Sequence, residues 1–208
     1  MSIQESYNEW SASYDSDRNL TRDLDAQVTR EKLRDMRFHS ILELGCGTGK
    51  NTIFLARIGS RIDALDFSEG MIEKAQEKVQ AGNVRFSMAD LTQRWPCQDA
   101  SYNLVVCNLV LEHIEDLSFI LAETFRVLKQ GGTFLLNELH PFMQYEGKKA
   151  KFQNEDRVTE IPAFVHHISD FLKAASDSKL RLVQLDERWH PDDPHSRPPR
   201  IISFLFQK

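Results

Sequence analysis

Three glycines stand at alternate positions directly after a short apolar run, a spacing suited to binding a ligand through the backbone. Residues 41–44 predict a buried strand, Gly45, Gly47 and Gly49 follow it, and a helical pattern begins near Thr52. A strand, a glycine turn and a helix together present backbone N–H groups and a positive helix end to a ligand. Glycines also let a ligand approach the backbone closely. An ordinary tight turn is the alternative.

The spacing of this turn argues against two common nucleotide motifs. The dinucleotide fingerprint needs a glycine where Lys50 stands, and the phosphate loop needs a Gly-Lys-Ser/Thr ending that is absent here. With the acidic Glu43 two residues before the first glycine, the string resembles motif I of the class I S-adenosylmethionine-dependent methyltransferases. The resemblance implies that Glu43, Gly45, Cys46 and Gly47 contact S-adenosylmethionine and its product S-adenosylhomocysteine.

An acidic residue also follows the second predicted strand. A carboxylate here, that of Asp66, can accept hydrogen bonds from both hydroxyls of a ribose, and Phe67 can cover an adenine. The string from Asp66 to Met71 resembles methyltransferase motif II, Asp-x-Ser-x-x-Met, which implies that Asp66 binds the cofactor ribose and Met71 lines the adenosine pocket. Asp66 is also compatible with the ribose of NAD, and Met71 with core packing.

Residues after the third and fourth predicted strands complete the expected cofactor site. Asp90 can accept a hydrogen bond from an adenine amino group, with Ala89 and Leu91 beside it, or it can cap a helix. Asn108 and Leu109 open a string that resembles motif IV of small-molecule methyltransferases. That resemblance implies that both lie near the methionine part of the cofactor.

Two histidines are candidates for a general base, because the pKa of imidazole suits proton removal at neutral pH. His113 belongs to the Leu-Glu-His of the motif IV string and faces either the substrate or the core. His140 ends the fifth strand in a His-Pro-Phe string that resembles bacterial small-molecule methyltransferases, and we expect it to face the substrate pocket. His166 and His167 could approach it, but no carboxylate or cysteine accompanies them, so no metal is expected.

Two flanking segments are expected to cover the site. Residues 1–37 read as a helical cap, and a Tyr-x-x-Trp-x-x-x-Tyr-Asp segment within it resembles the cofactor cap of many class I methyltransferases, which implies a cofactor contact for Tyr14. Packing of these aromatic residues on the core is the alternative. Residues 141–165 show no helical period and suggest a loose hairpin around residues 154–156, so we expect a substrate-side insertion or lid.

An alternation of strands and helices positions these residues. We expect strands at 40–45, 61–66, 84–88, 102–108 and 133–139, helices at 51–58, 69–79 and 116–129, then a helix at 169–176 and strands at 180–188 and 201–206. Apolar strands joined by helices predict a parallel sheet covered on both faces, with ligands at the carboxyl ends of the strands. The last two strands have no helix between them, which predicts an antiparallel last strand.

The predicted fold is therefore α/β. It is a Rossmann-like three-layer sandwich, a single domain over residues 1–208, with a seven-stranded, mainly parallel sheet. The class I resemblance implies that the antiparallel last strand lies between the fifth and sixth strands.

Composition limits the class of protein. A net charge of −5 argues against a nucleic-acid partner. The N-terminus lacks the pattern of a signal peptide, and no apolar run is long enough to span a membrane. Three cysteines without metal-ligand spacing fit a reducing compartment. We therefore expect a cytoplasmic protein that is a monomer or weak homodimer.

Together these patterns predict an S-adenosylmethionine-dependent methyltransferase that acts on an O or N atom of a small molecule. One alternative is a nicotinamide-dependent oxidoreductase, against which Lys50 and the Asp-x-Ser-x-x-Met string count. The other is a catalytically inactive cofactor-binding domain of the same fold, which only an activity assay excludes. The sequence does not identify the methyl acceptor.

Overall fold

Seven strands form one sheet, and its carboxyl edge carries the candidate site. The structure is a computed structural model that describes residues 2–154, 157–193 and 198–208. The strands of the sheet are β1 (Phe38–Leu44), β2 (Gly59–Asp66), β3 (Val84–Met88), β4 (Tyr102–Asn108), β5 (Leu128–Leu139), β8 (Arg181–Arg188) and β9 (Ile201–Gln207), and a separate hairpin consists of β6 (Lys151–Asn154) and β7 (Arg157–Glu160). The sheet order is β3-β2-β1-β4-β5-β9-β8, so strand order reverses between β1 and β4.

Helices cover both faces of the sheet. They are α1 (Ile3–Trp10), α2 (Leu20–Leu33), α3 (Thr52–Ile58), α4 (Glu69–Lys78), α5 (Leu117–Val127), α6 (Pro141–Tyr145) and α7 (Ile168–Asp177). Successive strand residues point to opposite faces, so Leu42 packs in the core beneath α5 and α7 while Ile41 packs beneath α3. Burial on both faces explains why the strands read as continuous apolar runs.

The predicted sheet topology is confirmed. β9 pairs antiparallel with β5 on one side and with β8 on the other, so β8 runs parallel to β5. The last strand therefore lies between the fifth and sixth strands of the sheet, as the class I resemblance implied.

The junction between α5 and β5 differs from the prediction. The expected helix over 116–129 ends at Val127, and β5 begins at Leu128 instead of residue 133. Leu128 pairs with Tyr102 of β4, and the N–H of Gly131, which has a φ of +75°, donates to the carbonyl of Lys208. Gly131 and Gly132 therefore lie inside β5, although glycines often end helices, because pairing on both sides of the strand outweighs that tendency.

The segment over 141–165 is more ordered than its sequence indicates. The expectation of no helix there was wrong for Pro141–Tyr145, which forms α6. His140 caps this helix, since its Nδ1 accepts a hydrogen bond from the Phe142 N–H at 3.2 Å, and proline suits the first helical position. The predicted hairpin is present as β6 and β7, and its turn at residues 155–156 lies outside the described residues.

One buried carboxyl group ties α2 to the carboxyl edge of the sheet. Asp25 Oδ1 accepts from the side-chain amide of Asn137 at 2.8 Å, and Oδ2 accepts from those of Asn51 at 2.8 Å and Asn108 at 3.2 Å. Burial raises the pKa of Asp25, and the three amides oppose that effect. Asp25 thus connects α2, the start of α3, β4 and β5 at one point.

Among the described residues, no helix combines the length and the apolar character that crossing a bilayer requires.

We predict that Asp25→Ala lowers the free energy of unfolding by about 3 kcal/mol, because the amides of Asn51, Asn108 and the fully buried Asn137 each lose a hydrogen bond to the carboxyl group. Asp23→Ala is the matched control two residues earlier, where an exposed pair with Lys50 contributes about 1 kcal/mol or less. Urea unfolding followed by circular dichroism measures both. Equal effects of the two substitutions would contradict the conclusion that Asp25 holds α2 to the carboxyl edge of the sheet.

Candidate functional site

The glycine turn after β1 is in close contact with the turn after β4. Gly45 and Gly47 have φ values of +65° and +52°, which favour glycine. A Cβ atom on Gly45 would lie 2.2 Å from Val110 Cγ2, whereas nothing lies within 4 Å of one on Gly47. Gly45 therefore cannot be replaced by a larger residue, because of its positive φ and the contact with Val110. Gly47 has open space beside it, into which a ligand can fit.

Asp66, at the end of β2, holds this turn in place. Its Oδ2 accepts a hydrogen bond from the Gly47 N–H at 2.8 Å, and its Oδ1 accepts one from the Ser68 N–H at 2.9 Å. The side chain is almost completely buried, and burial raises its pKa against the effect of these two bonds. Each carboxylate oxygen has a second lone pair, so Asp66 can also accept bonds from a ligand.

A cavity of about 130 Å³, called here the first cavity, lies beside Asp66. It collects residues from α1, the turn after β1, and the carboxyl ends of β2, β3 and β4. Its lining is Tyr7, Tyr14, Gly45, Gly47, Asp66, Phe67, Met71, Asp90, Leu91, Thr92, Asn108, Leu109, Val110, His113 and Ile114. Ten of the thirteen residues expected to bind the cofactor are in this set, together with His113.

Glu43 and Cys46 line a smaller adjoining cavity of about 60 Å³ behind the glycine turn. Glu43 Oε2 accepts a hydrogen bond from Thr52 Oγ1 at 2.6 Å, and burial raises the pKa of Glu43 to about 8. At neutral pH the group is mainly a protonated carboxyl. Ala89 lines neither cavity, although its N–H donates to the carbonyl of Asp66 at 2.8 Å.

Asp90 has the contacts of a capping residue and also lies on the wall of the first cavity. Its Oδ1 accepts from the N–H and the hydroxyl of Thr92, at 2.9 and 2.7 Å. Both bonds use the same oxygen, so the capping alternative and a ligand contact through Oδ2 are compatible.

Asn108 has an unsatisfied acceptor at the boundary of the two cavities. Its amide nitrogen donates to Thr29 Oγ1 at 2.8 Å and to Asp25 Oδ2 at 3.2 Å. Its Oδ1 is buried and has no hydrogen-bond partner in the described part of the chain. A buried acceptor without a donor is costly, so this oxygen favours a ligand that supplies an N–H.

His113 lies at the inner end of the first cavity. Its Nδ1 lies 2.9 Å from the Pro162 carbonyl oxygen, which can only accept, so Nδ1 carries a proton and donates. Its Nε2 lies 2.7 Å from the Tyr7 hydroxyl, and burial lowers the pKa of the imidazole. His113 is thus held neutral, with Nε2 as an acceptor.

The other histidines do not meet in the substrate pocket. His140 is fully buried, lines none of the cavities described here, and uses both ring nitrogens, one to cap α6 and one at 2.9 Å from Glu187 Oε1. His166 Nε2 contacts the carbonyls of Leu111 and Ile114. The expectation that His140 looks into the substrate pocket was therefore wrong, because Pro141 starts a helix that needs a cap. In the described residues, no group of three or more His, Cys, Asp or Glu side chains forms a metal site.

Sequence reasoning did not assign a ligand contact to Tyr7, Thr92, Val110 or Ile114, which also line the first cavity. Tyr7, Trp10 and Tyr14 stand at helical spacing in the sequence, and this periodicity was the available signal for Tyr7. Val110 and Ile114 were visible only as neighbours of Asn108 and His113, since apolar residues in a turn carry no signature of their own.

The chain is similar in sequence to known methyltransferases. Residues 42–136 match the model of a family described as "Methyltransferase domain". A demethylmenaquinone methyltransferase from Leptospira interrogans is 32% identical over 145 residues, which are 64% of this chain and 58% of that protein. A malonyl-[acyl-carrier protein] O-methyltransferase from Bacillus cereus is 28% identical over 169 residues, 75% of this chain and 62% of that protein. The chain spans about three fifths of the length of these relatives.

A solved structure has the same fold over the whole chain. It is the N-methyltransferase NodS from Bradyrhizobium japonicum in complex with S-adenosyl-L-homocysteine, with a TM-score of 0.76, 16% identity, and coverage of 100% of this chain and 99% of that one.

We predict that the raised pKa of Glu43 makes the protein less stable as pH rises. The unfolded carboxyl group loses its proton near 4.5, whereas the folded one keeps it up to about 8. Between these values the folded state binds more protons, so the free energy of unfolding falls with pH. Glu43→Gln removes this contribution. The free energy of unfolding of the variant should therefore rise relative to that of the wild type from pH 4.5 to 8, by at most about 5 kcal/mol.

Denaturant unfolding at several pH values measures this difference. Glu69→Gln, at an exposed glutamate, is the control and should parallel the wild type at every pH. If the Glu43→Gln curve also runs parallel to the wild type, Glu43 is charged in the folded protein.

Proposed function

We propose that the chain is a class I S-adenosylmethionine-dependent methyltransferase that transfers a methyl group to an O or N atom of a small molecule, a proposal supported by the family match over residues 42–136 and by the two relatives. The observation that carries the proposal is the first cavity, where the glycine turn and Asp66 meet at the reversal of strand order. Ligands of open α/β sheets bind at such a reversal.

The residues of the two adjoining cavities fit this cofactor. Asp66 would accept hydrogen bonds from the ribose hydroxyls, and Phe67 and Met71 would contact the adenine, with Asp90 at its amino group. The unsatisfied Oδ1 of Asn108 would accept a bond from the ammonium group of the methionine part. Lysine and arginine are absent from the described lining of the first cavity, which suits a cationic sulfonium.

The N-terminal cap must move for the cofactor to enter. The first cavity, at about 130 Å³, is smaller than the roughly 300–1,000 Å³ of typical ligand pockets. Helix α1 narrows it, because Tyr7 packs against Phe67 with ring centres 5.9 Å apart and Gln4 Nε2 donates to the Phe67 carbonyl at 2.6 Å. We assign residues 1–37 as a cap that shifts on binding, and residues 141–165 as the substrate-side lid.

When bound, S-adenosylmethionine supplies an electrophilic methyl group, and the chain must supply alignment, exclusion of water and, for a hydroxyl or ammonium acceptor, a base. A second cavity of about 660 Å³ offers the space for an acceptor. It shares Tyr7, Tyr14 and Leu109 with the first cavity, so these three side chains stand between donor and acceptor. We assign His113, not His140, as the base, because His113 lines the first cavity and its Nε2 contacts the hydroxyl of Tyr7, which lines both cavities, whereas His140 lines neither.

We also propose an acceptor class, a cellular location and an oligomeric state for the protein. A small-molecule acceptor is supported by the net charge of −5 and by the acceptors named for the relatives in Leptospira and Bacillus. We propose a cytoplasmic location and a monomer or weak homodimer. The family match argues against the nicotinamide-dependent alternative, and an inactive domain of the same fold is an outcome that the assays below exclude.

We predict that S-adenosylhomocysteine binds in isothermal calorimetry and NAD does not. Asp66→Ala should weaken this binding about 10- to 100-fold, because it removes charge-assisted hydrogen bonds to the ribose. The control is Glu69→Ala, an exposed residue of the next helix, which should leave the affinity unchanged.

Because Asp66 also holds Gly47, thermal unfolding of each variant must accompany the titrations. Unchanged affinity in folded Asp66→Ala removes Asp66 from the site, and NAD binding without S-adenosylhomocysteine binding ends the proposal.

We predict that His113→Ala lowers kcat at least about 100-fold for a hydroxyl or ammonium acceptor, the loss expected for a general base. The acceptor comes from a screen of metabolite pools with labelled S-adenosylmethionine. Since burial lowers the pKa of His113, the wild-type kcat should fall on the acid side below the ordinary histidine pKa, and this decline should vanish in the variant. His140→Ala should change kcat by less than about threefold, because that ring caps α6 and contacts Glu187 but lines neither cavity. The opposite ranking would restore His140 as the base.

A further inference from the structure

We propose that the second cavity binds an anionic acceptor, a small molecule that bears a carboxylate or phosphate group. The inference rests on the proposed function, since it takes this cavity as the acceptor site of a methyltransferase. It goes further by assigning a chemical class to the acceptor and naming the residues that select it.

The two large cavities differ in charge. The described lining of the first cavity includes two acids, Asp66 and Asp90, and neither lysine nor arginine. The second cavity is lined by six basic side chains, those of Arg18, Arg22, Lys148, Lys149, Lys151 and Arg200. The chain as a whole has a net charge of −5, so this positive cluster is a local feature, opposite in sign to the net charge of the protein.

Two of the six cations are neutralised by acids outside the cavity. Arg18 pairs with Asp192 at 2.7 Å and Arg200 with Asp193 at 2.6 Å. Arg22 donates to the backbone carbonyls of Tyr14 and Asp17, the latter at 3.1 Å, so those bonds leave its charge uncompensated.

Three lysines supply positive charge that is not paired with an acidic side chain. Lys148, Lys149 and Lys151 are exposed and form no ion pair or hydrogen bond through their ammonium groups with the described residues. Lys148 and Lys149 lie on the connection from α6 to β6, and Lys151 is the first residue of β6. A cavity with an unpaired cluster of one sign concentrates ligands of the other sign.

The acids in the lining do not cancel this field. They are Asp17, which accepts from Trp10 Nε1 at 3.1 Å, and Glu112. Glu112 is 7% exposed and its Oε2 has no hydrogen-bond partner within the described ranges. Burial raises the pKa of Glu112 to about 7, so near neutral pH its negative charge is weaker than that of an ordinary glutamate.

The location of the cavity links its charge to the transfer. Because Tyr7, Tyr14 and Leu109 line both cavities, an anion in the second one lies directly across these side chains from the cationic donor. Opposite charges attract, so an anionic acceptor is drawn toward the cationic sulfonium that carries the methyl group.

The test is calorimetry on the full chain saturated with S-adenosylhomocysteine, with citrate and tripolyphosphate as the carboxylate and phosphate probes. We expect at least one probe to bind, and the preferred probe assigns the anion type. The double variant Lys148→Glu/Lys149→Glu should weaken that binding at least tenfold and leave S-adenosylhomocysteine affinity unchanged.

The control is Arg57→Glu/Arg85→Glu, which makes the same change in net charge at exposed residues that line none of the three cavities. It should change the affinity for the probe by less than twofold. Binding of neither probe to the saturated protein, or equal loss in both double variants, overturns the inference while the proposed function stands. If S-adenosylhomocysteine itself does not bind, the proposed function fails instead.

Discussion

The close approach of the two turns that follow β1 and β4 is the constraint on which the rest of the site depends. Strand order reverses between these strands, and the crevice that opens there is bounded by Gly45 against Val110, with no room for a side chain on Gly45. Leu109, in the second turn, has a φ of +57°, which a residue with a Cβ rarely adopts. Its N–H donates to the Asn137 carbonyl at 2.8 Å, which helps to hold it in that conformation.

Buried acids stabilise this edge and also make it sensitive to pH. Asp25 connects α2 to the sheet, Asp66 holds the glycine turn, and Glu138 accepts hydrogen bonds from the N–H groups of Val110 at 3.1 Å and Leu111 at 2.9 Å. Burial raises the pKa of each of these groups, and that of Glu138 reaches about 8. Several acids in a small volume repel one another when charged, and the sulfonium expected beside them favours the charged forms.

The contrast between the predicted residues that line the first cavity and His140, which does not, shows what local sequence can indicate. Asp66 and Asn108 end parallel strands, and Asp90 comes two residues after another. The carboxyl ends of parallel strands lie at one edge of a sheet, so their grouping follows from chain order. His140 also follows a strand, but its direction depends on the next residues. Pro141 begins a helix, the helix needs a cap, and the imidazole supplies it instead of facing the cavity.

The sequence by itself determined the strand–turn–helix alternation, the sheet order implied by family resemblance, and most of the residues around the glycine turn, because these depend on local periodicity and on spacing along the chain. It did not reveal the raised pKa of Glu43, the contact of His113 with Tyr7, or the placement of Lys148, Lys149 and Lys151 in the lining of the second cavity. Those properties arise between segments far apart in the chain. Only the tertiary structure decides which groups are buried, and burial sets both the pKa values and the charge of each cavity.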